Sequence, residues 1–183
     1  TTAFERLTIN DDGNVGIGTS TPNAMLEVSK DIIVNQITIG KGSGNITSNT
    51  ANGRLALFAN TSGPWNTANG YLALSSNTTG YSNTALGNEA LSNNIDGIWN
   101  TAVGDNALKN NITGEKNTAV GVYALQASNG DNNTALGHQA LVANTSGDAN
   151  IALGNYALNT NLLGINNTSV GFEAGYSAAG SNN

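Results

Sequence analysis

The sequence has no cysteine, two prolines, one methionine and one histidine, and only 10% of its 183 residues carry a charge. Without cysteine there is no disulfide framework and no thiolate metal site, so a small disulfide-stapled fold is excluded. The charges number 12 acidic against 6 basic, with no cluster of Lys or Arg. A phosphate-neutralising surface is therefore missing, and nucleic acid is not an expected partner. No apolar run approaches the ~20 residues that cross a bilayer as a helix, so membrane insertion is not expected. Low charge combined with 38% hydrophobic residues also argues against a disordered tail. The chain opens at Thr1 with neither an initiator Met nor a signal sequence, which reads as a processed or excised piece of a longer protein.

What the sequence has in excess is asparagine and glycine, 32 and 23 residues, together 55 of 183. Both favour turns and left-handed backbone and are poor in helix interiors, so long helices are not expected. The bias has a cause that is visible by eye. The segment Asn-Thr-Ala-Leu/Val-Gly recurs with a period of 17 residues, starting at Asn49, Asn66, Asn83, Asn100, Asn117, Asn133, Asn150 and Asn167. One step is 16 residues long, where a residue is missing near Asn129.

The unit reads N-T-A-[LV]-G-x-x-A-L-x-x-N-x-x-G-x-x, and its positions are numbered 1 to 17 below. Asn at position 1, Gly at position 5 and Ala at position 8 occur in all eight copies. Leu fills position 9 in seven copies and Gly175 replaces it in the last, where the array fades. Seventeen residues with two glycines cannot hold a helix pair, and the apolar residues do not keep 3.6 spacing. Each unit is expected to form one coil of a parallel β-solenoid, with two short strands, roughly T-A-L and x-A-L-x, and an N-x-x-G turn such as Asn77–Gly80. Eight coils at strand spacing make a rod about 40 Å long.

Adjacent Ala and Leu in a strand point to opposite faces, so both faces of each strand read as apolar and a covering from outside is expected. That implies a homo-oligomer. The Asn columns at positions 1 and 12 are expected to form amide ladders between coils. They also create Asn-x-Ser/Thr triplets at Asn60, Asn77 and Asn144, which turn chemistry explains better than glycosylation.

The fold class expected is thus all-β. Residues 1–30 form a β-hairpin connector region, 31–48 a transition into the solenoid, and 49–183 the repeat array. Alternation in Leu7-Thr-Ile9, Val15-Gly-Ile17, Met25–Val28, Ile32–Val34 and Ile37-Thr-Ile39 marks strands, the first two joined by the turn Asn10–Asn14.

The run Leu7–Pro22 followed by Met25-Leu-Glu-Val28 resembles a segment found in bacteriophage tail fibres and related bacterial surface proteins, many of which end in an intramolecular chaperone of the endosialidase type. Asn83-Thr-Ala-Leu-Gly87 and its copies are similar to the Asn-Ser-Val-Ala-Ile-Gly motif of trimeric autotransporter adhesin heads. The resemblance implies a left-handed parallel β-roll forming a homotrimer, two further copies being the partners, on a virion or otherwise extracellular. This sequence departs from the adhesin heads in its longer period and in Asn52 and Asn69, which stand where later copies carry Leu or Val.

Chemistry is sparse. His138 is the sole imidazole and lies in a variable position, and the acidic residues are scattered without metal-ligand spacing. Gly40-Lys-Gly-Ser-Gly44 lacks the ending of a phosphate loop and a following helix. No enzyme, cofactor or metal is expected. Aromatic residues gather instead in variable columns: Trp65, Trp99, Tyr71, Tyr81, Tyr123 and Tyr156 are candidate contacts to host-surface glycans, since ring faces match the C–H faces of pyranoses. Packing at strand ends or between chains is the competing role for the same rings.

The reading of function that follows is a structural and receptor-recognition segment of a trimeric fibre, from a phage tail or a similar particle. A bacterial cell-surface trimeric adhesin head is the alternative. An ice-binding solenoid is a second one, raised by the Thr column at position 2.

Overall fold

The computed structural model describes residues 7–28, 30, 32–34, 36–176 and 180–182. It is an all-β solenoid with one coil per repeat. Eight strands, β6 (Thr50–Gly53), β7 (Thr67–Asn69), β8 (Thr84–Leu86), β9 (Thr101–Val103), β10 (Thr118–Val120), β11 (Thr134–Leu136), β12 (Ile151–Leu153) and β13 (Thr168–Val170), stack as consecutive parallel neighbours. The register places like on like: Thr84 pairs with Thr101, Ala85 with Ala102 and Leu86 with Val103. The 16-residue step does not disturb it, since Thr118 pairs with Thr134 and Ala119 with Ala135.

Upstream, β1 (Thr8–Ile9) and β2 (Val15–Ile17) form the antiparallel hairpin, and β3 (Leu26–Val28) adds to β2 in parallel. Asn10 makes the turn: its Oδ1 accepts from the backbone N–H groups of Asp12 at 3.1 Å and Asn14 at 2.9 Å. β4 (Ile32–Val34) and β5 (Ile37–Gly40) extend the large sheet with antiparallel pairings, β5 lying directly on β6. The Gly40–Gly44 run has a structural task. Gly42 and Gly44 take φ of 73° and 79°, and a Cβ on Gly42 would lie 2.6 Å from that of Leu57. With the Ser43 N–H bonded to the Leu57 carbonyl at 3.1 Å, this turn closes the first coil over its core.

The expectation of two strands per coil is corrected. Only the T-A-L segment is a strand; the x-A-L-x segment is a chain of turns. Positions 7 and 9 hold left-handed φ, for instance 53° at Glu89 and 51° at Leu91. A strand would aim Ala90 and Leu91 to opposite sides, whereas the switch in backbone hand at Leu91 turns both inward, and both are fully buried. The core therefore consists of three columns, Ala at positions 3 and 8 and Leu at position 9, running from Ala51 to Leu158. Of the two segments read as strands, T-A-L alone keeps an outward apolar row, at position 4, so the argument for an outer covering rests on one strand face rather than two.

The other half of the core is polar. At position 12 the expected ladder is present: Asn94 Nδ2 donates to Asn77 Oδ1 at 2.8 Å, and Asn111 Nδ2 to Asn94 Oδ1 at 2.9 Å. At position 1 the amide bonds mainly backbone, and amide joins amide only in the last coils, where Asn150 Nδ2 donates to Asn133 Oδ1 and Asn167 Nδ2 to Asn150 Oδ1, both at 3.1 Å. Asn83 Nδ2 donates to the Gly97 carbonyl at 2.8 Å, while its Oδ1 accepts from the Asn100 backbone N–H at 2.9 Å. These asparagines are buried, and their hydrogen bonds offset the desolvation of the amides. Asn60, Asn77 and Asn144 belong to the position-12 ladder, so the acceptor asparagines of the Asn-x-Ser/Thr triplets are buried in the folded rod while the residues that follow them lie toward the surface.

The short coil is repaired by a side chain. In a regular coil two successive N–H groups, those of Ile95 and Asp96, share the Ile112 carbonyl of the next coil, at 2.9 and 3.3 Å. At the short coil the N–H groups of Ile112 and Thr113 find no equivalent carbonyl and bond Asn129 Oδ1 instead, at 2.8 and 2.9 Å. The Asn129 amide stands in for a peptide unit.

Candidate functional site

The outward face of the parallel strands is built from positions 2 and 4, because Ala at position 3 points inward. Position 4 is Asn in the first two coils and then Leu86, Val103, Val120, Leu136, Leu153 and Val170. Leu86, Leu136 and Val170 are 37%, 50% and 67% exposed, and the others are half-buried. Position 2 is Thr in every coil but one, where Ile151 replaces it. Neither column contains a charge anywhere along the rod. The result is a continuous strip of methyls and hydroxyls, one row of each, repeating at the strand spacing of about 4.8 Å.

The hydroxyls of this strip differ from the Thr hydroxyls at position 13. At position 13, Thr61, Thr78 and Thr145 each donate to a carbonyl in the next coil at 2.9 to 3.1 Å. Those at position 2 make no hydrogen bond within the described residues. Their donors and acceptors are open to whatever lies against the face.

Two aromatic rims flank the strip. Before the strand, at positions 16 and 17, Tyr81 meets Trp99 edge-to-face at 5.5 Å, and Lys116 Nζ lies 5.3 Å from the Trp99 ring centre. Trp65, 64% exposed, makes no ring contact among the described residues. The two tryptophans share a column but not an environment: Ser82 occupies the coil between them. After the strand, at positions 6 and 7, Arg54 lies 5.7 Å from the Tyr71 ring centre. Further along, Tyr123, His138, Tyr156 and Phe172 form an unbroken edge-to-face series, with centroids 6.5, 5.1 and 6.2 Å apart.

Of the six aromatic residues singled out in the sequence, Tyr81 and Trp99 are thus brought together, as are Tyr123 and Tyr156 through His138. Tyr71 and Trp65 stand apart from them. Lys116 shares position 17 with Trp99 one coil away, whereas His138 and Phe172 escape a column-by-column reading because position 6 of one coil reaches position 7 of its neighbour. Writing the repeats one under another and scanning diagonally would have paired them.

Among the described residues no group of three His, Asp or Glu could hold a metal ion. No helix among them is long and apolar enough to cross a membrane. No protein-family model, curated protein or solved structure matches the chain.

Proposed function

We propose that this chain is a structural and receptor-recognition segment of a trimeric fibre, from a phage tail or a similar particle. Its partners are two further copies of itself, and its surroundings are extracellular or the surface of a virion. The observation that carries this reading is the charge-free strip at positions 2 and 4. Outward aliphatic residues, half-buried to exposed, repeat there over six coils without an interrupting charge, which is a surface that water does not stabilise and a copy of itself does. The copy is the natural occupant because its strip has the same spacing, so like rows lie together and the open Thr hydroxyls pair with each other across the contact. The number three comes from the likeness to adhesin heads. The same likeness favours a bacterial surface adhesin as the alternative carrier of the fold.

In this arrangement the aromatic rims border the contact. They remain open to a glycan in the channel between copies or on the outer surface, with Trp65 and the Tyr123–Phe172 series offering the ring surface. Light scattering on the whole chain tests the proposal, with a mass three times the 18.6 kDa of one chain as the expected result. A monomer at micromolar concentration overturns it. If the monomer also shows thermal hysteresis, the open row of Thr hydroxyls is an ice-binding face instead.

A further inference from the structure

We propose that Asn129 is a site of self-modification: its side-chain amide is attacked by the Gly130 nitrogen to give a succinimide, which water opens to aspartate or isoaspartate. The inference is independent of what the fibre binds. It rests on three features that meet at one residue.

The first is the oxygen. Asn129 Oδ1 accepts from two backbone N–H groups, Ile112 at 2.8 Å and Thr113 at 2.9 Å, with Thr113 Oγ1 at 3.5 Å. Attack on Cγ moves negative charge onto this oxygen. Two fixed donors on an oxygen that becomes an oxyanion stabilise the transition state more than the ground state.

The second is the nucleophile. Gly130 is glycine because a side chain there would strike the Gly147 carbonyl of the next coil. Its stacking role removes the Cβ that shields the nitrogen in other residues, and the Gly130 N–H makes no hydrogen bond among the described residues. The third is exposure. Asn129 lies at the surface, so ammonia can leave and water can enter.

The balance is simple. Solvent hydroxide takes the Gly130 amide proton, and the nitrogen forms a bond to Asn129 Cγ. The Cγ–Nδ2 bond then breaks and Nδ2 departs as ammonia with a proton from water. Water adds to either ring carbonyl, and nothing is oxidised or reduced. Both products suit this coil. Aspartate keeps an oxygen for the two N–H groups, and isoaspartate lengthens by one carbon the backbone of a coil that is one residue short.

The chain carries its own controls in two other Asn-Gly pairs, Asn52-Gly53 and Asn69-Gly70. Both asparagines are exposed, but both pairs lie in or against strands, and the Gly70 N–H is held by the Asn52 carbonyl at 2.9 Å. The experiment is to incubate the intact chain at mildly alkaline pH, folded and in urea, and to follow all three sites by peptide mapping for the mass gain and for isoaspartate. In the folded protein Asn129 is expected to convert roughly ten-fold faster than in urea, where the two donors are lost, and ahead of Asn52 and Asn69. Conversion at Asn129 that is equal or slower in the folded protein than in urea overturns the proposal.

Discussion

Asn111 Oδ1 is buried without a hydrogen-bond partner because the residue that follows it in the position-12 column is Ser128 rather than Asn. Where an Asn follows in the column, the oxygen receives the amide of the next coil, as Asn77 Oδ1 receives Asn94 Nδ2; Asn161 Oδ1, in the last full coil, shares the unpaired state of Asn111. Ser128 supplies a hydroxyl to Asn144 Nδ2 at 3.3 Å but offers nothing to Asn111. Replacing it by Asn is expected to complete the column and to stabilise the protein by about 1 kcal/mol, the net worth of a buried hydrogen bond regained. Chemical denaturation of Ser128→Asn against the parent checks this. A lower midpoint would mean that the short coil has no room for the longer side chain.

Two leucines separate folding from association. Leu108 is fully buried in the position-9 column between Leu91 and Leu125, and an Asp there places a charge in the core with no partner. Leu108→Asp is expected to destabilise the rod by several kcal/mol, seen as a large loss in thermal midpoint. Leu136 is half exposed on the strip, and Leu136→Glu is expected to leave the circular dichroism of the monomer intact while lowering the mass in light scattering. Unfolding by Leu136→Glu would show that the outward row belongs to the core of each chain.

Most of the rod was legible in the sequence because its period is set by stacking. A Gly at position 5 in all eight copies reports a place where each coil's backbone meets the next one. At Gly104 φ is 132°, and a Cβ would sit 2.6 Å from the Gly121 carbonyl oxygen. The buried Asn ladder was legible for the same reason. The second half of the coil was not, because its left-handed positions are filled by residues that do not announce them. Leu91, Glu89 and Trp99 all take φ near 50° to 55°, where Gly or Asn is the usual occupant. Stacking overrides their local preference, and a pattern-based reading makes Ala90-Leu91 a strand. The ring series Tyr123–His138–Tyr156 was hidden likewise, since it runs between positions 7 and 6 of successive coils rather than down one column.

This backbone geometry predicts opposite outcomes for one chemical change. Gly104→Ala adds a methyl at positive φ against backbone, and is expected to destabilise by more than about 2 kcal/mol. Ala149→Gly removes a methyl from an exposed position-17 residue whose φ is 55°, and is expected to stabilise by up to about 1 kcal/mol. Thermal denaturation of the two variants side by side is the measurement. Destabilisation by both would show that residue 149 does not hold its left-handed backbone in solution.

The stacked register carries the sharpest test, because coils that contact only their neighbours tolerate loss of a whole unit better than loss of part of one. Deleting residues 100–116 removes β9 and joins Trp99 to Asn117. β8 then pairs with β10, Thr84 opposite Thr118 and Ala85 opposite Ala119, and the rod shortens by about 5 Å. The columns of Asn, Gly, Ala and Leu stay continuous. The gap in the position-12 ladder moves rather than multiplies: Asn94 Oδ1 loses Asn111 and meets Ser128, taking the place of the Asn111 oxygen that is unpaired in the parent. Deleting only residues 100–107 removes the same strand and leaves the other half of its coil, so Leu108 arrives where the ladder expects an Asn. Small-angle scattering and urea denaturation are expected to show a shorter folded rod in the first case and an unfolded or aggregated chain in the second. Equal stability of the two deletions would mean that the 17-residue coil is not the unit in which this molecule folds.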